Sequence, residues 1–336
     1  MTRRAIAACA ATLAIAGCGG GDEVQRDTKF RRALGTVGTA VSPIGTGFGW
    51  VDVERVREES GAAALVADAG ALGPGGDQLF EEASRVERQT GVDPLGAKQA
   101  LSLGGSYMFA VRFDGESPGR LPNLLHRAGA RRRAVEGSTG FDLGEQGQAA
   151  TTGPLSALDA LAARTAIGGD SVVLSRMDGA RASLVGAGGS VLHDESLDFA
   201  SACLGEVSAA RTFPGRFAHN PVAAPDLMAV GARAPDVAGR SEVLCAIDDS
   251  EEDAERRATG MEEAFGSDAR DAVTGEPMAR LVDETEIEML AEGELHAARA
   301  ELTLTPAARR GLLFDALGRG SLATYTGSPA PLPDEP

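Results

Sequence analysis

Apolar residues recur along the chain with two different periods, one typical of strands and the other of helices. In SYMFAVRFD, residues 106–114, every second side chain is large and apolar, which predicts a strand with one better-buried face. In residues 121–128, apolar side chains recur at intervals of three and four residues, which predicts an amphipathic helix. Because both patterns follow one another through most of the sequence, we expect an α+β protein.

Helix caps set several of the expected boundaries. A helix over 93–104 is predicted because Asp93 and Pro94 are typical of a cap and a first helical residue. Ser250 opens a capping-box pattern, so a helix is expected over 250–266. Further helices are predicted at 77–90, 121–128, 153–163, 178–186, 194–208 and 305–318, and strands at 48–53, 106–114, 131–144 (a hairpin), 171–177, 226–234, 242–248, 287–290 and 295–304.

The order of these elements predicts two loosely similar lobes, each a mainly antiparallel sheet with packed amphipathic helices. Residues 108–125 and 244–261 share the order strand, Asp, Ser and amphipathic helix, and both are followed by strands and a helix that contains Asp-Ala-Leu. An ancient internal duplication explains this likeness, and so does convergent α+β patterning. The expected organisation is a signal peptide at 1–17, a tether at 18–29, lobes at 30–168 and 169–327, and a disordered tail at 328–336.

The N-terminus has the features of an export signal. Arg3 and Arg4 precede an uncharged run of 13 residues at 5–17, which is shorter than the roughly 20 residues that a membrane-spanning helix needs. Ile-Ala-Gly-Cys, ending at Cys18, resembles the lipobox of bacterial lipoproteins, whose cysteine thiol accepts a diacylglyceryl group. We therefore expect Cys18 to carry a lipid that anchors the protein at the extracytoplasmic face of the cell membrane. An ordinary signal peptide that happens to contain Cys18 is the alternative.

Composition narrows the classes of partner. The formal net charge is −17, and acidic residues far outnumber basic ones between 236 and 301. Such a surface repels phosphate backbones, so nucleic acid is not an expected partner. The segment RAGARRR, residues 127–133, is locally basic and is interpreted as a helix C-terminus that runs through Gly129 into a solvated strand. Hydrophobic residues make up 43% of the chain but aromatic ones only 4%, which favours an aliphatic core.

Two cysteines remain beyond the export signal, Cys203 and Cys245. An even number of cysteines in an exported chain predicts a disulfide between them. The alternative is a pair of unlinked, buried thiols. Metal ligation is disfavoured because neither cysteine has a second Cys or a His at ligand spacing.

The sequence offers little material for a catalytic, metal or cofactor site, and none is predicted. Ser171 follows Gly-Asp, as in one esterase family, but the Asp-x-x-His that completes that family's triad is missing, so a turn leading into a strand is favoured. The acidic run 248–253 lacks the glycine and glutamate spacing of an EF-hand, and its acids suit a first helical turn. Four scattered histidines are interpreted as surface or capping residues; they are His126, His193, His219 and His296.

The chain resembles uncharacterised lipoproteins and envelope proteins of high-GC actinobacteria. The likeness is carried by the lipobox, GVDPLGAKQALSLGG at 91–105, VVLSRMDGARASLVG at 172–186 and ACLGEVSAA at 202–210. It implies an anchored extracellular α+β protein and brings no catalytic residue with it. We therefore expect a non-catalytic binding or scaffolding module that contacts another envelope protein. A carrier of an apolar ligand or lipid is the alternative, and a carboxylate-dependent hydrolase is the third.

Overall fold

A computed structural model describes residues 26–41, 46–73, 76–104, 108–145, 154–215, 224–233 and 240–327. The predicted signal peptide with Cys18, most of the tether and the tail at 328–336 lie outside these ranges. In the described part, twelve strands form one sheet in which every neighbouring pair is antiparallel. The strands are β1 (Gly47–Val51), β2 (Gln99–Gly104), β3 (Met108–Asp114), β4 (Arg131–Val135), β5 (Ser138–Asp142), β6 (Arg164–Gly168), β7 (Ser171–Ser175), β8 (Ala209–Pro214), β9 (Leu227–Ala232), β10 (Arg240–Asp248), β11 (Val282–Glu292) and β12 (Leu295–Leu304).

The strand order across the sheet is β11-β12-β10-β9-β8-β1-β2-β3-β7-β6-β5-β4. The accompanying α-helices are α1 (Lys29–Gly35), α2 (Val53–Asp68), α3 (Gly76–Glu81), α4 (Ala83–Thr90), α5 (Leu121–Arg127), α6 (Asp178–Leu184), α7 (Glu195–Cys203), α8 (Glu251–Phe265) and α9 (Leu312–Gly318). Short 3-10 helices span Ala69–Leu72, Pro154–Ala163, Val191–His193, Met278–Arg280 and Leu322–Thr326.

Helices cover both faces of the sheet, and each face has its own hydrophobic core. Successive residues of a strand point to opposite faces, so Val51 of β1 lies in one core while Trp50 lies in the other. We call the face under α2, α3, α4, α5, α8 and α9 the first face, and the face under α1, α6 and α7 the second face. The result is a three-layer arrangement, and the predicted α+β class with a mainly antiparallel sheet is confirmed.

The two halves of the chain contribute to a single continuous sheet. Strands β1 to β7 lie on one side of the pairing between β1 and β8, and strands β8 to β12 lie on the other side. In both halves, three sheet strands lead into a helix, then a hairpin and then a further helical segment. The expected lobe boundary between 168 and 169 falls in the turn between β6 and β7. The duplication itself stays a prediction.

The predicted helix over 93–104 is wrong, because Gln99–Gly104 forms β2 near the centre of the sheet. Asp93 does cap a turn, since its Oδ1 accepts the N–H of Leu95 at 3.0 Å. Beyond that turn, Leu101 and Leu103 fill the core of the second face while Ala100 packs against the first. Burial on both faces removes the polar stripe that distinguishes a strand from a helix, and tertiary packing decides the outcome.

Other boundaries are partly right. Gly91 ends α4 with a left-handed φ of 80°, as predicted, but the expected helix over 77–90 breaks at Glu82 into α3 and α4. The capping box of α8 is confirmed, with the Ser250 side chain accepting the N–H of Asp253. The predicted helix over 305–318 begins only at Leu312, and β6 and β8 have no counterpart in the sequence prediction. None of the helices within the described ranges has the length and apolarity needed to cross a membrane.

Candidate functional site

A cleft of about 440 Å³ opens at one end of the strand layer, on the second face. It lies where β1, β9 and β12 begin and where β8 and β10 end, beside the N-terminus of α7. The described lining residues are Thr46, Phe48, Asp194, Ser196, Leu197, Thr212, Pro214, Ala224, Pro225, Asp226, Leu227, Asp249 and Leu295.

Strand pairing brings these distant segments together. Because β1 and β8 are antiparallel, Phe48 at the start of one strand pairs with Thr212 near the end of the other. Leu227 of β9 pairs in turn with Ile247 of β10, and the backbone N–H of Asp226 donates to the carbonyl of Ile247 at 3.0 Å. The cleft is therefore built on regular strand ends, which hold binding groups more rigidly than loops do.

The floor of the cleft is apolar and continuous with the core of the second face. Phe48 and Leu197 are members of that core, and Leu227 and Leu295 pack against it. Pro214 adds a further apolar side chain. A volume of this size lies within the range of about 300–1,000 Å³ that is typical of ligand pockets.

Three carboxylates line the cleft, and no described lining residue is basic. Asp194 is the N-cap of α7, where its Oδ1 accepts the N–H of Leu197 at 3.1 Å. Asp226 and Asp249 are exposed to solvent. Since the described lining carries only negative charge, it favours a cationic group on any molecule that enters.

The environment of Asp226 raises the pKa of its carboxyl group. Partial burial raises the pKa of Asp226, the carboxylates of Asp249 and Asp253 raise it further, and the guanidinium of Arg257 opposes them. Arg257 lies against the buried Asp248, with its Nε 3.4 Å from Oδ2. A cation bound beside Asp226 would relieve the repulsion among these carboxylates.

A second, smaller concavity of about 340 Å³ lies on the first face, between α2, α3 and α9. Its rim carries both signs of charge, from Glu81, Asp315 and Arg319. The cleft at the strand ends is larger, and the charged residues among its described lining are all acidic, so it is the stronger candidate for a binding site.

The predicted disulfide between Cys203 and Cys245 is confirmed. The two Sγ atoms are 2.08 Å apart and the Cα atoms 6.4 Å apart, so the alternative of two unlinked thiols is wrong. The bond joins the last residue of α7 to β10, and α7 carries Asp194 at its other end. It therefore fastens the helix that forms one wall of the cleft to the sheet beneath it. Such a bond is typical of extracytoplasmic proteins.

The remaining candidate residues from the sequence do not converge on the cleft. His126 and His193 are exposed, His296 is half-buried, and His219 lies outside the described residues. The Oγ of Ser171 donates to the carbonyl of Gly168 at 2.9 Å, in the turn that leads into β7. In the described part of the chain, no group of three or more His, Cys, Asp or Glu side chains has a geometry that could hold a metal ion.

The sequence interpretation missed the cleft because its acidic residues come from three separate segments. Asp194, Asp226 and Asp249 each lie next to the end of a helix or strand, where an aspartate is expected for structural reasons alone. The available signal was their shared position at element ends, which becomes informative only when the strand order is known.

No protein-family model, curated protein or solved structure matches this chain.

Proposed function

We propose that this protein is a lipid-anchored, extracytoplasmic binding module without catalytic activity, and that the cleft at the strand ends binds a segment of another envelope protein. The observation that carries the proposal is the pairing of an apolar floor with exposed carboxylates in one cleft. This combination favours an extended segment that carries both apolar and basic side chains, since the floor would bury the former and the carboxylates would pair with the latter.

The alternative of a purely apolar ligand is less well supported by the same lining. Burying Asp226 and Asp249 under a lipid chain would remove their carboxylates from water without giving them a partner, which costs free energy. A basic group on the ligand removes that cost. Lipid that co-purifies with the chain, identified by mass spectrometry, would favour the carrier instead.

Binding can be tested with two synthetic probes of equal length, one alternating Leu and Arg and the other alternating Leu and Glu. Titration calorimetry should show that the Leu/Arg peptide binds and that the Leu/Glu peptide does not. Because hydrogen bonds to charged groups contribute about 1.5–3 kcal/mol each, the double variant Asp226→Asn/Asp249→Asn should bind it at least about tenfold more weakly. Equal binding of both peptides, or unchanged affinity in the variant, would contradict the proposed site.

A matched control changes the net charge by the same amount as the cleft variant while leaving the cleft intact. Asp268 and Asp283 are exposed and lie outside the cleft, so Asp268→Asn/Asp283→Asn should bind the Leu/Arg peptide as the unmodified chain does.

The same variants separate binding from catalysis. Hydrolytic turnover that is present in the control and lost in Asp226→Asn/Asp249→Asn would support the carboxylate-dependent hydrolase and overturn the non-catalytic proposal.

Anchoring is proposed to occur through Cys18, on the strength of the lipobox and the export signal that precedes it. A tether of about ten residues would let the domain stand at most ~35 Å from the membrane. The described chain begins beside the fold, where Arg26 forms an ion pair with Glu292 and Arg31 pairs with Asp198 at 2.6 Å.

Cell fractionation tests the anchor. Cys18→Ser should move the protein from the membrane fraction to the soluble fraction, because the thiol that accepts the lipid is gone. Cys203→Ser, which removes one sulfur of the disulfide instead, should leave the protein in the membrane fraction. Retention of Cys18→Ser at the membrane would contradict the proposal.

A further inference from the structure

The two outermost strands of the sheet carry opposite charges. At one end β4 has the sequence RRRAV, whose first four residues are exposed. At the other end β11 has the sequence VDETEIEMLAE, with acidic side chains at more than a third of its positions and no basic one. Each strand pairs with a single neighbour in the described sheet, so each leaves one row of backbone N–H and C=O groups unpaired.

The opposite charges also lie on the same face of the sheet. The guanidinium of Arg132 lies 5.8 Å from the ring of Phe141, a residue of the first core, so Arg131 and Arg133 point to the second face. On β11, Leu290 packs against the second core, so the glutamates at even positions share that face. These glutamates are Glu284, Glu286, Glu288 and Glu292.

Two of the carboxylates and one guanidinium have no ionic partner within the described chain. Arg133 pairs with Asp178, and Glu288 with Arg299. Arg131, Glu284 and Glu286 are exposed and make no ion pair among the described residues.

The even number of strands fixes how the two edges could meet. Because all neighbouring pairs among the twelve strands are antiparallel, β4 and β11 run in opposite directions. If a second copy in the same orientation is placed at the edge of the first, its β11 is therefore antiparallel to β4. The same pleat then places the second faces of both copies on one side, with Arg131 opposite the acidic row.

Charge selects this pairing over the symmetric ones. Two β4 edges would bring arginines together, and two β11 edges would bring glutamates together, so both symmetric contacts are repulsive. Charged edge strands commonly prevent association. When both edges carry the same sign, every pairing of edges is repulsive, but when they carry opposite signs, the pairing of one edge with the other is attractive. Neither β4 nor β11 contains proline, which would block the ladder. On the first face, Met289 of β11 is 40% exposed and adds an apolar contact.

We propose that β11 of one copy docks against β4 of a second copy, so that the antiparallel sheet continues from chain to chain in an open row. The contact is heterologous, since each copy uses a different edge on each side, and such contacts extend unless a rotation closes them into a ring. The inference rests on the two edges alone and does not depend on the proposed binding cleft.

Because the chain has a large negative net charge, association between copies should depend on salt concentration in two opposing ways. Copies with a formal net charge of −17 repel one another when salt is too dilute to screen distant charges. At about 0.1 M salt the Debye length is about 10 Å, so distant repulsion is screened while cross-strand pairs about 5 Å apart still attract. At about 1 M salt the Debye length falls to about 3 Å and this attraction is screened as well. Association is therefore expected to pass through a maximum near 0.1 M salt.

Sedimentation velocity on the full chain carrying Cys18→Ser tests the proposal without a contribution from lipid. The average mass should at least double with rising protein concentration near 0.1 M salt and fall back towards the monomer at 1 M. Variant A, Arg131→Glu/Arg132→Glu, places carboxylates on the β4 edge as well as on the β11 edge. Variant B, Glu284→Arg/Glu286→Arg, places guanidinium groups at the two unpaired acidic positions of β11, opposite which Arg131 of another copy would lie. Each variant alone should remain monomeric, whereas an equimolar mixture should associate because every edge again meets its opposite.

A matched control reverses two charges away from both edges. Glu262 and Glu263 are exposed on α8, so Glu262→Arg/Glu263→Arg should associate as the unmodified chain does. Recovery of association in the mixture of A and B also shows that both variants are folded. A chain that stays monomeric at all salt concentrations, variants that associate alone, or a mixture that stays monomeric would overturn the proposal.

Discussion

Glu242 offers a sharp test of the energetics of this fold, because its buried carboxylate caps the N-terminus of α9. Its Oε1 accepts the N–H groups of Gly311 and Leu312 at 2.7 and 3.0 Å, and its Oε2 accepts that of Leu313 at 2.8 Å. Burial raises the pKa of Glu242 from 4.5 to about 7, against the opposing effect of these three donors. Replacing it with Gln keeps the shape and removes the titration.

The sign and size of the effect follow from this shift. A carboxyl group with a raised pKa binds its proton more tightly in the folded chain than in the unfolded chain. Its contribution is therefore fully present below about pH 4.5 and is lost as the pH rises towards 7, by about 3 kcal/mol of unfolding free energy. Glu242→Gln loses this pH dependence, but at every pH its amide N–H₂ faces the N–H of Leu313, which costs about 1–3 kcal/mol.

Urea denaturation of both proteins between pH 4 and 8 measures the difference. The stability advantage of the unmodified chain over Glu242→Gln should be largest at the acidic end and shrink by about 3 kcal/mol by pH 7. Glu263→Gln, an exposed match on α8, should follow the unmodified chain throughout. An advantage that is constant across this range would mean that the three N–H donors balance burial, and one that grows with pH would mean that they outweigh it; either result would refute the reasoning.

Two further variants test the covalent link and the packing. Replacing Cys203 and Cys245 together with Ser opens a loop with a sequence separation of 42, and denaturation without reductant should show a loss of about 4 kcal/mol. An unchanged midpoint would contradict a stabilising role for the bond. Gly49→Ala would place its Cβ 2.1 Å from the carbonyl oxygen of Ala71, so thermal unfolding should show a loss of several kcal/mol or no folded protein. Gly318→Ala, whose Cβ meets nothing within 4 Å, should melt no earlier than the unmodified chain, and equal melting of the two variants would contradict the close approach at Gly49.

The elements that the sequence predicts well have one polar side or a local cap. The hairpin at 131–144 and helix α8 are examples, since their boundaries depend on turn residues and on Ser250, which act within a few residues. β2 and β8 are covered on both faces and show no clear alternation, so the sequence pattern does not separate them from helices or loops. Their assignment depends on partners far away in the chain.

The candidate site was harder to predict than the fold, for the same reason. Pairing of Cys203 with Cys245 could be inferred because cysteines are few and an exported chain favours oxidation. Asp226 and Asp249 are ordinary among many acidic residues, and their neighbourhood is created by the order of β8, β9 and β10. A sequence pattern that does not specify strand order cannot identify such a site.

The central position of β1 has a consequence for how the chain folds. The backbone N–H of Phe48 donates to the side chain of Thr212, which is synthesised 164 residues later. At about 5–20 residues per second, that strand partner is missing for roughly 10 to 30 s. During this interval GFGWV, whose five residues are all buried in the finished sheet, presents an uncovered apolar edge of the kind that recruits other unfinished chains. We therefore expect the nascent first half to be the stage at which this chain is most prone to aggregate.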